Sequence, residues 1–120
     1  MLKDNHIDAA GSITAAVAAL RARYAPCPPI EVECRTLDHV REAVAARAER
    51  IMMDNMGGEL LSQALALVPS HIEAEVSGGV RLETIRELAL TGPRRPDFIS
   101  VGRLTHSAVS ADFSMTLLAV

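Results

Sequence analysis

The sequence predicts an α/β fold in which parallel strands alternate with helices, as in a partial (β/α) barrel truncated at its N-terminus. Short apolar runs that end in charge or glycine recur along the chain, and a helical pattern follows each of them. A complete eight-stranded barrel usually needs about 250 residues, whereas this chain has 120. We therefore expect about five strands and a possible sixth, all from one part of a barrel domain.

Composition restricts the class of protein. With 49% hydrophobic residues and a net charge of −3, the sequence describes a globular chain without the basic surface that binds nucleic acid. The few aromatic residues also argue against a base-stacking surface. No apolar run approaches the roughly 18 residues that span a bilayer, and the spacing of Cys27 and Cys34 matches no metal or redox motif. We expect free thiols in a soluble, cytoplasmic protein.

Helices are predicted from capping residues and apolar periodicity. Ser12 is placed to cap a helix that ends near Arg23, and Thr36 is placed to cap the next one. Two more helices should follow the glycine pairs at 57–58 and 78–79, because apolar residues then recur three and four positions apart.

Strands are predicted from short apolar or alternating runs. Residues 1–6 have the pattern of a buried strand end that delivers charged side chains to a site. Alternation over 30–34 would place Glu31 and Glu33 on one face of a strand. Further strands are expected at 51–53, 72–76 and 97–101, and residues 111–118 form either an apolar strand or a short closing segment.

Polar residues and glycines follow these runs where each predicted strand ends. Lys3, Glu33 and Asp54 are such residues, and the functional groups of parallel sheets collect at that edge. The turn Ser77-Gly78-Gly79 and the later Gly102 leave backbone N–H groups uncovered, which suits a phosphate. The sequence therefore predicts a site that combines one cation, two carboxylates and a phosphate-binding turn.

Other polar residues have plainer interpretations. We interpret Glu31, Glu73 and Glu75 mostly as solvated or helix-facing charges. His6 and His106 are expected to make structural hydrogen bonds, because a lone histidine near a loop does so more often than it catalyses a reaction.

Five motifs in register carry a family resemblance. They are Met-Leu-Lys-Asp-Asn-His at 1–6, Ile-Glu-Val-Glu at 30–33, Met-Asp-Asn at 53–55, Ser-Gly-Gly at 77–79 and Ser-Val-Gly-Arg-Leu-Thr-His-Ser at 100–107. In this order and spacing the sequence closely resembles quinolinate phosphoribosyltransferase, also called carboxylating nicotinate-nucleotide pyrophosphorylase. The resemblance implies that residues 1–120 are a single C-terminal part of the barrel domain of such a transferase, without its N-terminal domain.

The resemblance also implies a reaction and a role for each motif. Phosphoribosyl pyrophosphate and quinolinate would give nicotinate mononucleotide, pyrophosphate and CO2, a step of NAD biosynthesis. Lys3 would face the anionic substrates, and Glu33 and Asp54 would face the ribose and the Mg2+ that accompanies the pyrophosphate. Ser77, Gly78 and Gly79 would receive the 5′-phosphate together with a turn formed by Val101, Gly102 and Arg103, although the family usually has a small residue where Arg103 stands.

The resemblance leaves the activity of this chain by itself open. The family's arginines and histidine that hold quinolinate lie upstream of the lysine motif, and the full-length family enzyme is a homodimer. We therefore expect the chain alone to be inactive. The alternatives are a non-catalytic remnant, or a related phosphoribosyltransferase-like protein with a different substrate, as in one associated with molybdate transport.

Overall fold

The structure is a computed structural model that describes residues 1–106 and 110–118. Four strands alternate with helices after two N-terminal helices, which confirms the predicted fold class. The helices are α1 (Asp4–Ala10), α2 (Ile13–Arg23), α3 (Leu37–Ala45), α4 (Gly58–Leu67) and α5 (Leu82–Leu90). The strands are β1 (Glu31–Cys34), β2 (Arg50–Asp54), β3 (Glu73–Ser77) and β4 (Phe98–Ile99), and a 3-10 turn follows at Gly102–Leu104.

The four strands form one sheet in the order β1-β2-β3-β4, and every neighbouring pair is parallel. The register places Glu33 beside Met52 and Met52 beside Glu75, so these three side chains share one face. Asp54 pairs with Ser77 at the end of β2 and β3. The strand ends that carry the predicted site therefore lie along one edge of the sheet.

The two faces of the sheet differ in polarity. One face carries apolar side chains that are at most 1% exposed and pack beneath the helices. The other face carries the charged residues Glu31, Glu33, Arg50, Glu73 and Glu75 together with Met52. The buried apolar face is formed by Val32, Cys34, Ile51, Met53, Ala74 and Val76.

The predicted caps of the first two long helices are confirmed. The Ser12 hydroxyl accepts the Ala15 N–H at 3.0 Å, and the Thr36 hydroxyl accepts the His39 N–H at 3.1 Å. Each bond satisfies a backbone donor that the first helical turn leaves unpaired. Local sequence thus determines where α2 and α3 begin.

The prediction for the two ends of the described chain was wrong in part. Residues 1–6 contribute only an isolated bridge, in which Leu2 pairs with Val32, and helix α1 begins at Asp4. The backbone leaves the extended conformation after Lys3, which is the N-cap of that helix. Residues 110–118 form neither a helix nor a strand, and the apolar side chains at 113, 115, 117 and 118 are exposed.

Candidate functional site

Lys3, Glu33 and Asp54 meet at the carboxyl edge of the sheet, as predicted. The Lys3 ammonium lies 3.6 Å from Glu33, whose side chain is only 8% exposed. A residue that the sequence did not single out, Arg35, joins the two carboxylates: its guanidinium lies 2.9 Å from Glu33 and 3.4 Å from Asp54. The same guanidinium lies 2.9 Å from Asp4 at the start of α1.

The electrostatics of this group follow from the contacts. The Asn5 N–H and then the Arg35 guanidinium hold the pKa of Asp4 below its ordinary value. Asp4 in turn raises the pKa of Arg35. The Asp4 carboxylate and the Arg35 guanidinium are therefore both charged at neutral pH. Together with Lys3, Glu33 and Asp54 they form what we call the mouth of the site, in which basic and acidic side chains alternate.

Asn55 connects Asp54 to the first glycine turn. The Asn55 amide donates to the Asp54 carboxylate at 3.0 Å, and the Asn55 backbone N–H donates to the Ser77 carbonyl at 2.9 Å. Asn55 has a φ of 55°, a left-handed conformation that asparagine tolerates better than most residues. This close approach is possible because residue 78 is glycine: a Cβ there would lie 2.7 Å from the Asn55 nitrogen.

The two predicted glycine turns line one cavity of about 400 Å³. Among the described residues its wall carries two arginines, a histidine and two serine hydroxyls but no carboxylate, so it favours an anion. Val101 differs from the prediction because it lines an adjoining cavity of about 610 Å³, with Arg81 and Arg103 shared between the two. The 400 Å³ cavity is lined by Ser77, Gly78, Gly79, Val80, Arg81, Ser100, Gly102, Arg103 and His106.

Sequence reasoning missed four residues of this cavity wall: Val80, Arg81, Ser100 and His106. Arg81 is the N-cap of α5, and His106 lies beside Gly102, where an added Cβ would come within 2.9 Å of its imidazole. The motif at 100–107 contained both Ser100 and His106, and it could have indicated them. Ser107 of that motif lies outside the described residues.

A buried polar network supports the cavity from the polar face of the sheet. Ser100 donates to Glu75 at 2.5 Å, and Arg50 lies 3.5 Å from the same carboxylate. Glu75 is 6% exposed, so its interpretation as a solvated charge was wrong. Burial, and then the neighbouring Glu75 carboxyl, raise the pKa of Glu31. The register explains the error, since β3 brings Glu75 onto the same inner face as Glu31 and Glu33.

The carboxylates at this edge of the sheet are suited to hold a divalent cation together with an anionic ligand that completes its coordination. Across residues 1–106 and 110–118, no group of three or more His, Cys, Asp or Glu side chains is arranged to hold a metal ion. Mg2+ is commonly held by one or two carboxylates together with phosphate oxygens and water. Glu33 and Asp54, which share the guanidinium of Arg35, can supply those two carboxylates.

Comparison with known proteins gives consistent matches. The family model for the quinolinate phosphoribosyl transferase C-terminal domain matches residues 1–116. A probable nicotinate-nucleotide pyrophosphorylase (carboxylating) of Bacillus subtilis is 43% identical over 115 residues, which cover 96% of this chain and 39% of that protein. The nicotinate-nucleotide pyrophosphorylase (carboxylating) of Rattus norvegicus is 40% identical over 124 residues, which cover 99% of this chain and 40% of that protein.

A solved structure agrees with these sequence matches. NadC from Streptococcus pyogenes superposes with a TM-score of 0.81 at 42% identity, covering 97% of this chain and 40% of that one. The chain spans about 40% of the length of the curated relatives and solved structures that it matches. Within the part of the chain that the structure describes, no helix is both long and apolar enough to cross a membrane.

The parallel sheet, its charged carboxyl edge and the glycine-lined cavity define part of an α/β-barrel domain with a polar site at the carboxyl ends of its strands. The family match is specific within that class. The chain belongs to the quinolinate phosphoribosyl transferase family and corresponds to its C-terminal domain, which confirms the resemblance seen in the motifs.

Proposed function

We propose that this chain forms the catalytic edge of a quinolinate phosphoribosyltransferase, a glycosyltransferase of NAD biosynthesis. In the reaction the ring nitrogen of quinolinate bonds to the anomeric carbon of phosphoribosyl pyrophosphate, and the carbon–oxygen bond to pyrophosphate breaks. The neighbouring carboxylate then leaves as CO2, and the ring carbon that held it takes up a proton with the electron pair of the broken carbon–carbon bond, which gives nicotinate mononucleotide.

One observation carries the proposal: a continuous series of contacts joins the charged mouth to the glycine cavity. Lys3 contacts Glu33, Arg35 links Glu33 to Asp54, and Asn55 links Asp54 to the Gly78 turn. A phosphoribosyl group needs this combination, since its phosphate and its anomeric carbon lie at opposite ends of one ribose. A phosphate in the cavity would direct the ribose toward the carboxylates.

The residue types suit the steps of this reaction. Breaking the bond to pyrophosphate builds positive, oxocarbenium-like charge on the ribose, which the nearby Glu33 and Asp54 carboxylates would stabilise. Lys3 offers a compact cation to an anionic substrate. The backbone N–H groups near Gly78, Gly79 and Gly102, with Ser77 and Arg103, would hold the 5′-phosphate.

The proposal includes a cofactor and an assembly. Mg2+ would enter with phosphoribosyl pyrophosphate, where it neutralises charge on the leaving pyrophosphate, and Glu33 and Asp54 would hold it. The complete enzyme would be a homodimer. A cytoplasmic location agrees with the two free cysteines, Cys27 and Cys34, because thiols remain reduced there.

Binding of phosphoribosyl pyrophosphate tests the proposal on the 120-residue chain. Lys3 is the only lysine in the sequence, so labelling with 13C at lysine Cε gives a single reporter at the mouth of the site. We expect phosphoribosyl pyrophosphate with Mg2+ to shift this signal in the wild type and to bind at least tenfold more weakly to D54N, since a charged contact contributes about 1.5–3 kcal/mol.

The matched control is D38N, because Asp38 is an exposed aspartate that pairs with Arg41 on α3, away from the cavity. It should bind like the wild type. Absence of binding to the wild type, or equal binding by D54N and the wild type, contradicts the proposal and favours a non-catalytic remnant. We expect no nicotinate mononucleotide from the chain with quinolinate and phosphoribosyl pyrophosphate, because the chain spans about 40% of its relatives' length.

A further inference from the structure

Arg35 binds more carboxylates than any other residue at the mouth of the site. Its guanidinium lies within 3.4 Å of Asp4, Glu33 and Asp54, which come from α1, β1 and β2 respectively. Three separate nitrogens make these contacts, so the fork of one guanidinium spans all three carboxylates. Among the described residues, Lys3 forms an ion pair with Glu33 alone, at the longer distance of 3.6 Å.

The formal charges show what Arg35 does to the site. Three carboxylates face two cations, Arg35 and Lys3, which leaves one net negative charge at the mouth. Without Arg35 that charge would be −2, and two acidic side chains from neighbouring strands would face each other with no cation between them. Such a mouth would attract a divalent cation and repel an anionic substrate.

Arg35 can leave this position when another cation replaces it. Its side chain is 52% exposed and free to turn into solvent, but Glu33 is 8% exposed, so its carboxylate needs a cation in place of the guanidinium. A pyrophosphate group offers the same guanidinium a bidentate partner of equal or greater strength. The exchange of one anionic partner for another is therefore possible without a change in the fold.

We propose that Arg35 is a positioning residue that occupies the cation position between Glu33 and Asp54, so that the site accepts a divalent cation only together with an anionic pyrophosphate group. When the anion arrives, the guanidinium moves from the carboxylates to the phosphate oxygens, and the cation takes the carboxylates. This inference rests on the proposed function, because it assigns Glu33 and Asp54 to the cation that accompanies pyrophosphate.

The test uses Mn2+ as a probe and measures free Mn2+ by electron paramagnetic resonance in a titration of the chain without any phosphate. We expect R35Q to bind Mn2+ at least tenfold more tightly than the wild type, because a unit positive charge about 4 Å from the doubly charged ion is removed. R35K keeps the charge and should bind like the wild type. R41Q is the matched control, since Arg41 forms an exposed pair with Asp38 outside the site.

Further variants locate the bound ion. E33Q and D54N, each combined with R35Q, should abolish the gain in Mn2+ affinity, and circular dichroism identifies any variant that has not folded. The second measurement is Mn2+ retained with the protein after ultrafiltration in the presence of pyrophosphate. Retention should rise on adding pyrophosphate in the wild type, whereas R35Q should retain Mn2+ with or without it.

Several results would overturn the proposal. They are equal Mn2+ affinity in R35Q, R35K and the wild type, a gain in R35Q that persists when R35Q is combined with E33Q or with D54N, or no added retention with pyrophosphate in the wild type. These outcomes are separate from those of the proposed function. Normal binding of phosphoribosyl pyrophosphate with no Mn2+ effect refutes only the role of Arg35, whereas the Mn2+ effect without that binding refutes only the proposed function.

Discussion

Replacing Gly78 by alanine should destabilise the fold more than the same change at any glycine without close neighbours. Gly78 has a φ of 90°, and a left-handed conformation costs a non-glycine residue about 1–2 kcal/mol. A Cβ there would also lie 2.7 Å from the Asn55 nitrogen, which is backbone and is held by its bond to the Ser77 carbonyl. Overpacking of this kind costs about 1–3 kcal/mol more.

Gly11 provides the matched control for this substitution. Its φ is 85°, close to that of Gly78, but a Cβ there would meet nothing within 4 Å. G11A should therefore lose about 1–2 kcal/mol, and G78A about 2–5 kcal/mol. Urea unfolding followed by circular dichroism at 25 °C measures the loss of free energy of unfolding in both variants. The urea midpoints are compared with one common slope of that free energy against urea concentration. If G78A costs no more than G11A, the contact with Asn55 has no energetic role and the reasoning is refuted.

Three further predictions concern buried groups. The pKa of Glu31 is raised in the folded chain, so its protonated form favours folding at low pH, and this contribution is lost as the pH rises through the raised pKa. E31Q keeps an uncharged side chain at every pH. It should therefore raise the urea midpoint at pH 7 and leave it unchanged at pH 4. E75A should destabilise the chain by about 1–3 kcal/mol in the same assay, since it leaves the Ser100 hydroxyl without its acceptor while Arg50 keeps its bond to Glu73. Stability equal to that of the wild type would contradict the network. Burial raises the pKa of the Cys34 thiol to about 12. A thiol reagent at pH 8 should therefore modify Cys27 alone in the folded chain and both cysteines in urea. Fast modification of Cys34 in the folded chain would contradict its burial.

Much of the site was predictable because its residues follow strands. In a parallel sheet the carboxyl ends share one edge, so Glu33, Asp54 and the Gly78 turn had to be neighbours once the strands were recognised. The glycines were informative for a related reason. Glycine at position 78 permits both the positive φ of that residue and the close approach of Asn55.

Other features depended on contacts between residues distant in sequence. Glu75 resembles Glu73 in its local pattern, yet Glu75 is buried and bound to Ser100 while Glu73 is exposed. The difference arises because β4 pairs with β3 from Glu75 onward, and it covers that part of the strand. Arg35 was missed because the residue after a strand has no periodic signal of its own.

The sequence by itself determined the alternation of strands and helices, the two helix caps and the order of the polar motifs, because these depend on neighbouring residues and on backbone conformation. Only the tertiary structure decided which charges meet. Arg35 joins Asp4 to Asp54, fifty positions further along the chain, and such a contact requires the sheet register and the angle at which α1 leaves Lys3. Local patterns contain neither of these quantities, since both result from packing the whole apolar face at once.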